Sequence, residues 1–285
     1  MTGTHLERLV AAALQMLAVR ATTTPLAEIK SRAADQPAPR RFAAQLAQAR
    51  ARGAALIAEV KRASPSKGPL APDLDPEVIA RAYQAGGAAC LSVLTDRTHF
   101  GGSLDDLVKA RAACTLPVLR KDFLVTPYQL YEARAFGADA VLLIAAALTP
   151  ARLRELRELA RELSLCVLCE VHDEDELAAA IACAPDLLGI NARSLKTLEV
   201  DSGTFARLAP TALGIAPLVA ESGVRSAGDV RGLALAGASA FLVGEALATA
   251  PDPAAATRAL VQSLPPAARL VDPAGDPAGP VEPGK

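Results

Sequence analysis

Eight short apolar runs, each followed by a longer stretch with helical spacing, constrain the fold of this chain more than any other feature. The runs are Leu56–Val60, Cys90–Leu94, Pro117–Lys121, Ala140–Ile144, Leu165–Val171, Leu187–Asn191, Pro217–Glu221 and Ala240–Gly244. Continuous apolar runs of this length read as strands buried on both faces. The helical stretches lie near Pro76–Ala85, Leu104–Ala112, Pro127–Phe136, Ala151–Leu163, Glu174–Ala182, Ser202–Leu208, Ala227–Leu235 and Pro253–Leu264. Several open on a cap followed by proline, as in Asp75-Pro76, Thr126-Pro127 and Thr149-Pro150, which is how helices start. Strand–helix repetition predicts an α/β fold, a closed parallel (β/α)8 or TIM barrel over 51–264. The rival is a doubly wound open sheet, whose G-x-G-x-x-G fingerprint after the first strand is absent here. Residues 1–50 read as an N-terminal helical extension. Leu6, Leu9, Val10, Ala13, Leu14 and Leu17 mark one face, and a second helix is expected around Arg40–Ala51. Residues 265–285 form a proline-rich tail without apolar periodicity, expected to be a mobile extension with no chemical role.

Composition narrows the partners. A formal net charge of −1 gives neither nucleic acid nor an anionic membrane an electrostatic reason to bind. The run Ala138–Leu148 is too short to span a bilayer, and the first helix mixes charge with leucine unlike a secretory signal. A soluble, cytoplasmic protein is expected, monomeric or weakly self-associating. Cys90, Cys114, Cys166, Cys169 and Cys183 read as reduced thiols. Cys166 and Cys169 form a C-x-x-C, but on a strand positions three apart face opposite sides, and no second pair completes a metal site.

The strand ends carry the chemistry. Glu59 and Lys61, Thr95, Lys121, Glu170, Asn191, Glu221 with Ser222, and the Gly244-Glu245 turn all terminate predicted strands. In a barrel these ends converge on one face, where active sites lie. Singly, each fits a satisfied rim residue; together they favour a site. Glu59 and Lys61, two apart, project to the same side. Gly223 and Gly244 fall after strands seven and eight, where backbone N–H groups of such barrels bind phosphate, although tight turns alone also use glycine. Lys61 and Lys121 suit a general acid, an anion clamp or a Schiff-base nucleophile; salt bridging to Glu59, Glu170 or Glu221 is the bland alternative. Phe100 and Phe123, in a chain with six phenylalanines and no tryptophan, fall in mouth loops where an aromatic substrate needs an apolar wall.

The chain resembles the indole-3-glycerol phosphate synthase family. The resemblance rests on Ile57-Ala-Glu-Val-Lys-Arg-Ala-Ser-Pro-Ser66, Leu91-Ser-Val-Leu-Thr-Asp96, Val118-Leu-Arg-Lys-Asp-Phe123, Cys169-Glu-Val-His172, Gly189-Ile-Asn-Ala-Arg193 and Ala220-Glu-Ser-Gly-Val-Arg225. These motifs occur in register at six strand ends, between about residue 5 and residue 264. The resemblance implies a lyase that converts the phosphorylated 1-(2-carboxyphenylamino)-1-deoxyribulose 5-phosphate to indole-3-glycerol phosphate, losing carbon dioxide and water, with no metal or organic cofactor. It implies phosphate binding at Ser64, Ser222, Gly223, Gly244 and Glu245. The ring would lie near Phe100, Phe123 and Leu142, and its carboxylate near Lys61 and Arg193. Lys121 becomes the general acid on the ketone and Glu170 its partner carboxylate. Glu59, Lys61, Asn191 and Glu221 position intermediates and serve dehydration; which lysine–glutamate pair does so stays open. Three positions depart from the family pattern. His99 stands where a second aromatic is common, implying a more polar ring wall. Ala63 replaces a residue that is basic in some members, and the Glu245 carboxylate must turn away from phosphate. Within the same fold, a phosphosugar isomerase, a Schiff-base aldolase and an inert phospho-ligand barrel are the alternatives.

Overall fold

The computed structural model describes residues 4–266. Among these, eight parallel strands close into a barrel in sequential order. They are β1 (Leu56–Val60), β2 (Cys90–Leu94), β3 (Val118–Lys121), β4 (Ala140–Ile144), β5 (Cys166–Val171), β6 (Leu187–Asn191), β7 (Leu218–Glu221) and β8 (Ala240–Val243). β8 closes the ring on β1 with Leu56 opposite Phe241, while Ile57 on β1 faces Cys90 on β2. The expected strands are therefore present, with ends moved by at most one residue.

Alternation along each strand splits the core in two. Outward residues such as Leu56, Ala58, Leu91, Val93, Val141 and Leu143 pack beneath the surrounding helices. Inward residues, among them Ile57, Leu119, Leu142, Leu168, Val219 and Leu242, fill the barrel itself. Cys169 belongs to the outer layer and Cys166 packs against the inner one, so the C-x-x-C thiols do face opposite sides.

The N-terminal extension holds three helices rather than two: α1 (His5–Thr23), α2 (Leu26–Ala34) and α3 (Phe42–Arg50). α2 is the one not expected from sequence; it follows Thr22-Thr-Thr-Pro25, with Pro25 as its N-cap. Leu6, Leu9 and Ala13 of α1 and Phe42 and Leu46 of α3 join the inner cluster. Each buried leucine contributes about 1.5–3 kcal/mol. Ile29 and Ala33 of α2 pack with Ala135, Tyr128 and Tyr131 of the helix Pro127–Ala135. No single helix among the described residues is long and apolar enough to cross a membrane.

The barrel helices start as expected: Asp75 accepts from the N–H groups of Glu77 and Val78, Thr149 from Arg152, and Thr126 forms a capping box with Gln129. The helix expected at Ser202–Leu208 instead spans Thr204–Ala212 and passes through Pro210. Its apolar face, Phe205, Leu208, Ala209 and Ala212, is buried, and that packing outweighs the lost backbone bond. The tail lies almost wholly outside the described residues.

Candidate active site

The C-terminal strand ends surround one cavity of about 1150 Å³, open mouth included. All the site residues expected from sequence line it: Glu59, Lys61, Ser64, Phe100, Lys121, Phe123, Leu142, Glu170, Asn191, Arg193, Glu221, Ser222, Gly223, Gly244 and Glu245. Thr95 does not. Its hydroxyl turns out of the mouth to donate to Asp122 Oδ2 at 2.6 Å.

Two lysine–carboxylate pairs share this cavity. Lys61 Nζ lies 2.6 Å from Glu59 Oε1. Lys121 Nζ lies 3.3 Å from Glu170 Oε2 and 3.7 Å from Glu221 Oε2. Glycines make room for both. A Cβ on Gly244 would collide with Glu59 Oε1 and stand 3.0 Å from Lys61 Nζ; a Cβ on Gly189 would collide with Glu221 Oε1. We expect Gly244→Ala to fold normally, because the colliding atoms are side-chain ends that can move. Its displaced Glu59–Lys61 pair should lower kcat/KM by about 10²-fold, the cost of a 1 Å misplacement at a catalytic group. Unchanged kinetics would show that this pair needs no such placement.

The buried charges are arranged unequally. Burial opposes the charge on Lys121, yet Glu170, Glu221 and Glu59 together raise it above its ordinary range, so it holds its proton. Burial likewise opposes charge on Glu170, but Lys121, His172 and Asn191 hold it ionised, well below the usual carboxylate range. Glu221 goes the other way. Burial and the adjacent Glu170 raise it well above that range despite Lys121, and neither of its oxygens finds a hydrogen-bond partner within the protein. Two neighbouring carboxyls are thus pushed in opposite directions, Glu170 toward the anion and Glu221 toward the neutral acid, the kind of split by which one pocket can supply both a base and an acid.

An apolar wall stands beside these charges. The rings of Phe100 and Phe123 lie 6.4 Å apart, tilted by 39°, and Leu142 is 1 % exposed. Phe100 sits on a one-turn helix, Arg97–Phe100, capped by Asp96. His99 points its imidazole to Asp96, 3.3 Å away, and is not part of the cavity wall. His99 itself therefore adds no polar group to the ring wall, whereas Asp96 lines the cavity beside Phe100. On the far side, Ser222 and Gly223 take left-handed conformations, φ 64° and 76°, turning the chain sharply at the end of β7. Gly244 leads straight into the helix Glu245–Ala248, whose first N–H groups have no intrahelical partner.

The first loop folds over this end as a small hairpin, Ala63–Ser64 against Gly68–Pro69. Lys67 pairs with the Glu245 carboxylate, and Arg193 Nη1 reaches Ser66 Oγ at 3.2 Å and the Leu198 carbonyl at 2.9 Å. Leu9 of α1 also lines the cavity, with Leu195, Asp122 and Arg225. Sequence reasoning missed Leu9, since a leucine on an amphipathic helix carries no sign of which wall it meets.

Comparison with known proteins decides the family. The family model "Indole-3-glycerol phosphate synthase" matches residues 6–260. The chain belongs to this family. Indole-3-glycerol phosphate synthase of Mycolicibacterium gilvum is 51 % identical over 245 residues, 86 % of this chain and 89 % of that protein. The Nocardioides protein of the same name is 51 % identical over 253 residues, covering 89 % and 96 %. Indole-3-glycerol phosphate synthase 1 of Streptomyces coelicolor is 52 % identical over 245 residues, covering 86 % and 90 %. Among solved structures, a 3-hexulose-6-phosphate synthase superposes with a TM-score of 0.60 at 16 % identity, covering 74 % of this chain and 99 % of that one. A thiamine phosphate pyrophosphorylase from Pyrococcus furiosus gives 0.53 at 17 %, covering 74 % and 95 %. At those identities the two structures speak for the barrel alone. The family sequences speak for an enzyme, a decarboxylating lyase of tryptophan biosynthesis.

Proposed function

We propose that the mouth closes the indole ring of 1-(2-carboxyphenylamino)-1-deoxyribulose 5-phosphate through its two lysine–carboxylate pairs, with division of labour set by their surroundings. The observation that carries this reading is one cavity holding Lys61–Glu59, Lys121–Glu170, the Phe100–Phe123 wall and the Ser222-Gly223 turn together. The phosphate binds the backbone of Gly223, Gly244 and Glu245, with the hydroxyls of Ser64 and Ser222; Ser64 Oγ is buried and without a partner. The Glu245 carboxylate is held off by Lys67. The anthranilate ring packs between Phe100, Phe123 and Leu142, its carboxylate toward Lys61 and Arg193.

In the first step the ring carbon bearing the carboxylate forms a bond to the ketone carbon. The carbonyl electron pair moves to oxygen, and that oxygen takes the Lys121 proton. Positive charge develops on the aromatic amine, where the Glu170 anion stabilises it. The carboxylate then leaves as carbon dioxide and its electron pair restores aromaticity. Loss of the new hydroxyl as water, with a proton from the adjacent carbon, completes the indole. Glu59, Lys61, Asn191 and Glu221 serve this dehydration.

The test is turnover by the purified protein without added metal, following indole absorbance and carbon dioxide together. Both signals should rise in equal amounts and persist in chelator. An isomerase would release no carbon dioxide, an aldolase would be trapped on a lysine by borohydride, and an inert barrel would bind the substrate unchanged. Any of these results overturns the reading.

A further inference from the structure

His172 is absent from the steps above, yet it touches the carboxylate at their centre. It follows Glu170 by two residues at the end of β5 and so points to the same side of the strand. Its Nε2 stands 3.4 Å from Glu170 Oε1, an ion-pair distance without hydrogen-bond geometry, while Lys121 Nζ lies against Oε2. Its Nδ1 stands 2.9 Å from Glu176 Oε2, and its backbone N–H donates to that same oxygen at 2.8 Å. Glu176 is held in turn: it lies in the first turn of the helix Glu174–Ala182, and its N–H donates to the Asp173 cap. Ring and backbone are both fixed, and the side chain is 11 % exposed.

We propose that His172 is a positioning residue for ring closure: clamped between Glu170 and Glu176, it orients Glu170 and balances its charge while Lys121 gives up a proton. The proposal rests on the roles assigned above to Lys121 and Glu170. Before proton transfer, Glu170 has a cation on each oxygen. Afterwards Lys121 is neutral, and the imidazolium is the cation left in contact with Glu170. Without it, the buried Glu170 would be balanced, once Lys121 is neutral, only by the transient charge on the substrate amine, and low-dielectric surroundings penalise a poorly compensated carboxylate heavily. Carboxylates on both ring nitrogens keep the imidazole doubly protonated: burial opposes its charge, but Glu170 and Glu176 prevail and push it up to about 10. The other groups facing this cluster are Lys121 from β3, Asn191 from β6, Glu221 from β7 and, through Lys121, Glu59 from β1. On the outer side His172 and Glu176 border a cleft with Asp173, Lys196, Glu199, Asp201 and Arg207, Asp173 lying 3.8 Å from Lys196.

The sign of the pH effect follows. Lys121, His172 and Asn191 hold Glu170 low; removing the imidazolium lets it rise, so activity fails at a higher pH as acid is added. Rate–pH profiles of wild type, His172→Gln, Glu176→Gln and Glu170→Gln test this. We expect His172→Gln to lose about tenfold in kcat with KM nearly unchanged, and its acid limb to move up by at least about one unit. Glu176→Gln keeps an acceptor for the ring but not its charge, and should move the limb the same way by less. In ¹⁵N NMR at pH 8, His172 should show both ring nitrogens protonated; with three histidines in the chain, assignment is direct. A neutral imidazole at pH 8, or acid limbs unmoved in folded His172→Gln and Glu176→Gln, overturns the proposal while a dead Glu170→Gln leaves the mechanism standing. Wild-type turnover by Glu170→Gln overturns the mechanism and the proposal with it.

Discussion

Lys121→Met is expected to lower kcat by about 10² to 10⁴-fold, the range for a lost general acid, or about 3–5 kcal/mol of transition-state stabilisation. KM should change far less, since the substrate's phosphate, ring and carboxylate are bound by other residues. Three features make this variant decisive. Lys121 Nζ is held against Glu170 and Glu221 at 3.3 and 3.7 Å, so no other lysine can take its place between them. The variant should also fold, because Glu170 keeps His172 and Asn191 after the cation is gone. And Lys121→Arg separates charge from acidity: the guanidinium supplies the same charge but does not surrender a proton near neutral pH. Its kcat should therefore stay low even if KM is restored. Single-turnover measurements that isolate the chemical step provide the check. Wild-type kcat in Lys121→Met with chemistry rate-limiting would remove Lys121 from the acid role.

The barrel was legible in the sequence because a parallel strand buried on both faces and an amphipathic helix have different periods, and both are written here in short, well-separated pieces. The mouth was legible for a related reason. Glu59, Glu170 and Glu221 stand at the ends of apolar strands, and such charges signal a site only when the strand ends converge. What sequence could not show is how residues from different strand ends act on each other across the mouth. Glu170 and Glu221 look alike as letters, but Lys121, His172 and Asn191 converge on the first, while burial beside that anion dominates the second. Thr95 and His99 failed for the same reason: both sit at the mouth in sequence, and both are turned aside by an aspartate, Asp122 and Asp96 respectively. Leu9 reaches the cavity only through the tertiary placement of α1.

Arg120→Met should be the most destabilising single change near the site, although Arg120 never faces the cavity. It precedes Lys121 on β3 and so points the other way, out of the barrel and under the helix Pro127–Ala135. There its guanidinium is 1 % exposed and fully engaged. Nε donates to Thr95 Oγ1 at 3.1 Å and Nη1 to the Gln129 carbonyl at 3.0 Å. Nη2 lies 2.9 Å from both Asp122 Oδ2 and Glu132 Oε2. Glu132 in turn binds Arg20 of α1 at 2.6 and 3.0 Å. Removing one member of a buried ion cluster leaves its partners without compensation and costs about 3–5 kcal/mol. For a chain of this size that lowers the melting temperature by roughly 6–20 °C. The cause is testable within the cluster. Neutralising the stranded partner, Arg120→Met with Asp122→Asn, should recover part of the loss, because the pair is coupled rather than additive and Glu132 keeps Arg20. Activity should fall as well, since Asp122 fixes the N–H of Phe123 at 2.8 Å and so sets the ring wall beside Lys121. Calorimetry of the three variants, Arg120→Met, Asp122→Asn and the double, supplies the cycle. A loss below about 1 kcal/mol in Arg120→Met, typical of exposed ion pairs, would show that the cluster is solvated and that α1 is not tied to the catalytic strand through it.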